Sequence, residues 1–304
     1  MNIAAYTRPG SLKDALETLS ARSPAAVIIA GGTDLLPLMR KTRYLGGGTS
    51  ADDASADTSS SRVLLDVGGL DEIKGVSHRG GFLRIGGATS IAAIAASPLV
   101  HEKAPILTAA AKSIGSPMVR NRATLAGNLA SASPSADTAP ALLALDAVVR
   151  LASAREGVRE TPLANFFLGY RSTLLKEDEI ITDILIPVPS DRSAGMFEKV
   201  GLRNADAISV VCVAVVMEMD GMECTKARVA LGAVAPVPLR ALAVERALAG
   251  QRMSADHVRD CARLVSEHIA PIDDVRASED YRRWVAEAVV ARSILRVLGL
   301  EDEV

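Results

Sequence analysis

The stretch Val27-Ile28-Ile29-Ala30-Gly31-Gly32-Thr33-Asp34-Leu35-Leu36-Pro37 decides how this chain is read. Three branched apolar residues in a row have strand character. Two glycines then make a tight turn, and Asp34 stands where it can cap a helix beginning Leu35-Leu36-Pro37. Proline's missing N–H is harmless in that first turn. Strand, glycine turn, helix is the order that aims loop amides and a helix N-terminus at a phosphate.

A second stretch, Thr124-Leu125-Ala126-Gly127-Asn128, reads as another glycine-bearing turn. It is preceded by Arg120-Asn121-Arg122 and followed by Ser133-Pro134-Ser135-Ala136-Asp137. Small residues let backbone N–H groups meet an anion with no side chain in the way. Either turn alone is as compatible with an ordinary strand-to-helix connection. Two with different flanks point to one elongated anionic ligand, and a dinucleotide pyrophosphate is the candidate. Neither stretch is a G-x-G-x-x-G fingerprint or a G-x-x-x-x-G-K-[ST] loop, so the ordinary Rossmann and NTPase readings fail.

The 304 residues suffice for one large or two ordinary domains. A formal charge of −2 gives no electrostatic reason to expect nucleic acid or an anionic membrane as partner. Cys212, Cys224 and Cys261 are too widely spaced for a disulfide framework or a metal-type cluster, which suggests a reducing compartment. The start, Met1-Asn2-Ile3-Ala4, lacks a signal-peptide pattern, and no apolar run approaches membrane-spanning length. A cytoplasmic location without a membrane span is therefore expected.

Along the chain, Ser11 reads as an N-cap before a helix with Leu12, Ala15, Leu16 and Leu19 on one face. Residues 46–61 are low-complexity and polar, and read as a flexible surface insertion. Strand character resumes at Val63–Val67 and Leu83–Ile85, and Gly86-Gly87-Ala88-Thr89-Ser90 turns into a helix over Ile91–Ala96. Alanine-rich helices are expected at Ile106–Ser113 and Thr138–Ala144. Glu179–Ile186, Gly195–Leu202, Ser209–Glu218 and Lys226–Ala233 read as successive strands of an antiparallel meander. The tail is helical: Ala241–Ala249, Asp256–Ile269, and Ser278 to Leu298 before Gly299. An N-terminal α/β half carrying the glycine turns is expected, then a C-terminal α+β half.

Chemistry-bearing side chains are sparse. Ser133, Ser135 and Asp137 read equally well as helix caps, Arg120 and Arg122 as solvated charges, and Lys199 as a solvent-facing lysine on a strand. His78, His101, His257 and His268 share no metal-type spacing. A binding scaffold without an obvious acid–base centre suits a protein whose bound cofactor carries the chemistry.

Taken with Arg8-Pro9, Ser11-Leu12, Ile114-Gly115-Ser116-Pro117, Lys199-Val200-Gly201-Leu202-Arg203 and Leu231-Gly232-Ala233-Val234-Ala235-Pro236, these motifs resemble one family collinearly over the whole chain. It is the FAD-binding medium subunit of the molybdenum hydroxylases, the xanthine dehydrogenase / carbon monoxide dehydrogenase family. The resemblance implies an α+β chain. An FAD-binding domain of the type shared with p-cresol methylhydroxylase and vanillyl-alcohol oxidase would span 1–176. The family's C-terminal α+β domain, an antiparallel sheet with helices, would span 177–304.

Carried over by position, the resemblance assigns non-covalent FAD to Ala30, Gly31, Gly32, Thr33 and Asp34, and to Thr124, Ala126, Gly127 and Asn128. Asp137 would lie near the adenosine side, while Ile114, Ile181 and Lys199 complete the cofactor set. No catalytic side chain and no metal ligand is assigned. Ala126 stands where glycine is usual, and fits only with φ below zero. The four-cysteine iron–sulfur insertion of the 4-hydroxybenzoyl-CoA reductase medium subunit is missing, since no cysteine precedes Cys212. The implied partners are a small subunit with [2Fe–2S] clusters and a large subunit with the molybdenum cofactor, in a dimer of heterotrimers. In that assembly the chain passes electrons to a quinone, NAD⁺ or oxygen. Two rivals are a stand-alone flavin oxidoreductase of the same fold group and a docking subunit that has lost its flavin.

Overall fold

The computed structural model describes residues 2–44 and 61–300. The insertion expected at 46–61 lies outside them except for Ser61. The first unit is a three-stranded parallel sheet. β1 (Asn2–Thr7) leads into helix α1 (Leu12–Arg22), β2 (Ala26–Ile29) into α2 (Leu35–Tyr44), and β3 (Ser61–Asp66) lies between β1 and β2. Ser11 caps α1 as its position predicts, its hydroxyl accepting from the Asp14 amide at 3.1 Å. Ala15 and Leu19, four apart on one helix face, then bury against Leu65 and Val67.

Next come β4 (Val76–Arg79), β5 (Phe82–Gly86) and six short helices: α3 (Ile91–Ala96), α4 (Pro98–Lys103), α5 (Pro105–Ser113), α6 (Pro117–Arg122), α7 (Leu125–Ala130) and α8 (Thr138–Ala144). Prolines at the starts of α4, α5 and α6 sit where no intrahelical N–H is lost. β6 (Val148–Ser153), β7 (Gly157–Pro162), the small hairpin β8 (Phe167–Gly169) and β9 (Ser172–Thr173), and β10 (Glu179–Pro187) follow. A five-stranded antiparallel sheet runs in the order β4-β5-β10-β6-β7.

The C-terminal sheet contains β11 (Ser193–Gly201), β12 (Ser209–Asp220), β13 (Glu223–Gly232) and β14 (Leu239–Arg240), in that order. It is backed by α9 (Leu242–Leu248), the short β15 (Gln251–Arg252) against β13, α10 (Ala255–Arg263) and α11 (Glu279–Leu298). Ser278 caps the start of α11, and Gly299 ends it at φ +70°, the left-handed conformation a C-terminal glycine supplies.

The meander expectation is corrected in its first strand. β10 does not pair with β11; it is the central strand of the middle sheet, between β5 and β6. All but its last residue are buried, and with both faces covered its side-chain pattern does not reveal its neighbours. The meander begins only at β11.

β12 shows why the two halves do not come apart into separate cores. Cys212, Ala214 and Val216 face the helices of the N-terminal half, whereas Val211, Val213, Val215 and Met217 face α9–α11. Strand alternation thus delivers one apolar set to each side of the same sheet. Each fully buried valine contributes about 1.5–3 kcal/mol. A charge at Val213, fully buried at the centre of this strand, would break the packing.

Candidate functional site

β2 ends at Ile29, and its chain turns through Ala30-Gly31-Gly32-Thr33-Asp34 into α2. Two geometric demands fix the glycines. A Cβ on Gly31 would stand 2.0 Å from the Arg122 carbonyl oxygen and 2.9 Å from the Ala123 Cα, so the turn and the end of α6 abut backbone to backbone. Gly32 has φ +71°, which penalises any side chain, a β-branched one most. The amides of Gly31, Gly32 and Thr33 meet no protein acceptor among the described residues. Three neighbouring donors left open at a glycine turn form an anion cradle.

The second stretch is built differently, and the turn expected there is corrected. Thr124 is the N-cap of α7, its hydroxyl accepting from the Gly127 amide at 3.2 Å. The Leu125 amide donates to Thr89 O at 3.1 Å, Ala126 to Gly87 O at 3.0 Å and Asn128 to Thr124 O at 3.0 Å. Ala126 is therefore helical and unstrained, but its N–H is consumed. What this stretch offers a ligand is surface. A Cβ on Gly127 would touch only Thr124 Oγ1, at 3.0 Å, with open space beyond. The Asn128 carboxamide oxygen accepts from the Thr138 hydroxyl, which orients its NH₂ group as a donor.

Between the two stretches lies a cavity of about 420 Å³. Ala30, Gly31, Gly32, Thr33, Asp34, Ile114, Thr124, Ala126, Gly127, Asn128 and Ile181 all line it, alongside Ile28, Leu35, Leu38, Val119, Leu175 and Ile180. Ser131, Ser133 and Ser135 add hydroxyls to an otherwise apolar wall. Among the described residues Asp34 is the only ionisable side chain in the lining, and its carboxylate meets Arg171 Nη1 at 3.2 Å. Arg171 sits at the tip of the β8–β9 hairpin, and nothing in the sequence marks it out.

Asp137 and Lys199 are absent from that lining; they pair with each other beside it. Asp137 is 5% exposed and heads α8, but its side chain makes no cap bond. Its carboxylate takes the Lys199 ammonium at 2.6 Å and the Ser209 hydroxyl. Lys199 also donates to Ser113 O at 2.9 Å, next to Ile114 of the cavity wall. The solvent-facing reading of Lys199 is thereby corrected: its side chain is 12% exposed. Burial raises the Asp137 carboxyl above its ordinary range, with Lys199 pulling it back.

Other expected site residues serve the fold. Arg120 donates to Ile114 O and Gly115 O, both at 2.8 Å, and holds the loop that carries Ile114. Ser135 Oγ accepts from Arg276 at 3.3 Å, so the C-terminal half reaches the cavity rim. Among the described residues no cluster of three His, Cys, Asp or Glu could hold a metal ion, and no helix is long and apolar enough to cross a membrane.

Comparison with known proteins is consistent with this geometry. Residues 40–189 match the family described as the FAD binding domain in molybdopterin dehydrogenase, and 197–297 match the CO dehydrogenase flavoprotein C-terminal domain. The chain is 30% identical over 289 residues to the carbon monoxide dehydrogenase medium chain of Hydrogenophaga pseudoflava, covering 95% of each. It is 31% identical over 292 residues to the glyceraldehyde dehydrogenase medium chain of Sulfolobus acidocaldarius, covering 96% of this chain and 97% of that one. Among solved structures, a chain of the Hydrogenophaga pseudoflava carbon monoxide dehydrogenase that lacks the Mo-pyranopterin moiety superposes with a TM-score of 0.89. That match has 30% identity and covers 99% of this chain and 98% of that chain.

Proposed function

The chain belongs to the FAD-binding medium-subunit family of the molybdenum hydroxylases, and from that premise we propose that it holds FAD in the 420 Å³ cavity and relays electrons through it. The observation that carries the site is the set of open amides at Gly31, Gly32 and Thr33, on the wall of a cavity large enough for a cofactor. The amides of Gly31, Gly32 and Thr33 would hold the pyrophosphate of the cofactor, and the absence of a side chain at Gly127 would leave room for it beside α7. Asn128 and the serine hydroxyls orient it, and the isoleucine and leucine wall excludes water from it. Asp137 and Lys199 act from behind the wall, through Ser113 and Ile114.

FAD supplies the redox chemistry when bound, and the chain supplies position and environment. Among the described residues the cavity lining has no acid–base pair, and its one carboxylate is tied to Arg171. That favours passing electrons between partners over direct reaction on an organic substrate. Electrons would arrive from the [2Fe–2S] clusters of a small subunit, fed by a large molybdenum subunit, and leave to an external acceptor. The assembly is a dimer of heterotrimers in the cytoplasm. The pairing of β10 with β5 and β6 supports placing the division between the halves after β10, in residues 188–192.

Acid precipitation of the purified chain tests the cofactor: FAD should appear in the supernatant, one per chain. FMN, or flavin retained in the pellet, would contradict non-covalent FAD. Co-expression with neighbouring reading frames and metal analysis test the assembly. Iron and molybdenum should co-purify, and the chain alone should oxidise no substrate.

A further inference from the structure

A second cavity, of about 540 Å³, lies on the other side of the Ala30–Gly31 backbone. The two cavities share Ala30, Gly31, Ala88 and Thr124 as wall, but their chemistry is opposite. The second is lined by Tyr6, Arg8, Lys74, Asn121 and Arg122, with Asp66 the one carboxylate among the described residues. That carboxylate is already engaged: Tyr6 donates its hydroxyl to one oxygen and the Gly68 amide meets the other at 2.9 Å. Lys74 is shared between Gly69 O at 3.2 Å and Asp71 at 3.0 Å.

Arg8 and Arg122 have no hydrogen-bond or ion-pair partner among the described residues. Arg8 is nevertheless held in place. Its guanidinium packs on Gly69 so closely that a Cβ there would stand 2.6 Å from Nη2 and 2.7 Å from Nε. Packing fixes the fork while using none of its donors. Arg122 is anchored through its carbonyl against Gly31, which leaves its side chain to the second cavity. Both guanidinium groups act on the Tyr6 phenol. They pull its pKa down against the larger upward push of the Asp66 hydrogen bond.

We infer that this second cavity binds the phosphate group of a small metabolite of up to mononucleotide size. Each guanidinium presents parallel N–H donors matched to phosphate oxygens, and Lys74 and Asn121 add further donors on the same wall. The volume lies in the range of small-molecule sites. Arg8 and Arg122 are exposed at its mouth, where they would repel a cation and offer an apolar guest nothing to pack against. Arg122 lines the second cavity, and its carbonyl lies against the glycine turn that also lines the first.

The test is calorimetric titration of AMP, and separately of inorganic phosphate, into the full chain saturated with FAD. Saturable binding of AMP is expected, and Arg8→Gln or Lys74→Gln should each weaken it about tenfold. Flavin content and melting temperature should be unchanged in both variants, which separates this site from the cofactor cavity. Tighter binding of AMP than of phosphate identifies a nucleotide ligand; equal binding shows that the phosphate group alone is recognised. The inference is overturned if neither probe saturates by about 10 mM. It is overturned equally if both variants bind AMP like the parent, or if saturating FAD abolishes binding.

Discussion

Gly31→Ala and Gly127→Ala should fail in opposite ways, because the two glycines answer to different neighbours. Gly127 lies inside α7, where alanine is favoured over glycine by about 1 kcal/mol. Its new methyl would crowd only Thr124 Oγ1, at 3.0 Å, weakening a cap worth about 1 kcal/mol. The two effects nearly cancel, so the unliganded fold should be as stable as the parent. The methyl projects toward the cavity, however, where a closely packed cofactor meets it as overpacking of about 1–3 kcal/mol. FAD should bind roughly 5- to 150-fold more weakly.

At Gly31 the methyl would lie 2.0 Å from a carbonyl oxygen of another segment, and a backbone contact cannot rotate away. The end of α6 must then separate from the turn, costing the unliganded fold about 3 kcal/mol. The assay is a thermal melt of the flavin-stripped chain beside an FAD titration followed by flavin fluorescence. Parental FAD affinity in Gly127→Ala would refute the placement of the cofactor against α7. An unliganded Gly127→Ala as unstable as Gly31→Ala would refute the assignment of the two glycines to different roles.

Gly32→Val puts a β-branched residue at φ +71°, a strain of about 1–3 kcal/mol, and should abolish flavin binding while the C-terminal half stays folded; flavin absorbance with limited proteolysis checks this, and stoichiometric FAD would contradict it. Lys199→Met leaves a buried carboxylate unpaired, so a loss of about 3–5 kcal/mol is expected when Asp137 is ionised. Burial already raises Asp137, and losing Lys199 raises it further, so protonation relieves the defect: melting should be more impaired at about pH 8 than at about pH 5. Asp274 behaves oppositely, since burial would raise its carboxyl but Arg276 and Arg282 hold it below the usual range. Its contribution is complete above the unfolded value of about 4 and fades as pH falls below it. Asp274→Asn strands Arg282, whose side chain is 2% exposed, and should cost about 3 kcal/mol at neutral pH, with the gap to the parent closing in acid.

Much of this architecture was legible in the sequence where the cause is local. Ser11 and Ser278 as caps, Gly299 as a stop and the Gly31-Gly32 turn before α2 all follow from rules spanning one helical turn. Those rules reach no farther. Thr124–Asn128 reads as a turn because glycine and asparagine are poor helix formers, but Thr124 caps helix α7 and Thr89 and Gly87 accept its first amides. β10 reads as a neighbour of β11 because proximity in sequence is the only clue its pattern gives to a partner. Lys199 reads as exposed because alternation on a strand says only which face a residue takes. It does not say that Asp137 and Ser113 from two other helices close over that face. The residues expected around one ligand do lie around one cavity, apart from this pair.

The central claim is that the open amides of the first glycine turn receive the cofactor's pyrophosphate, while those of the second stretch are spent within the protein. Amide hydrogen exchange, compared between the flavin-free and FAD-saturated chain, reads this directly. The segment Ala30–Asp34 should gain strong protection on FAD binding, whereas the amides of Leu125–Asn128, already bonded, should change little. Bound FAD with no added protection at Gly31, Gly32 and Thr33 would contradict the account.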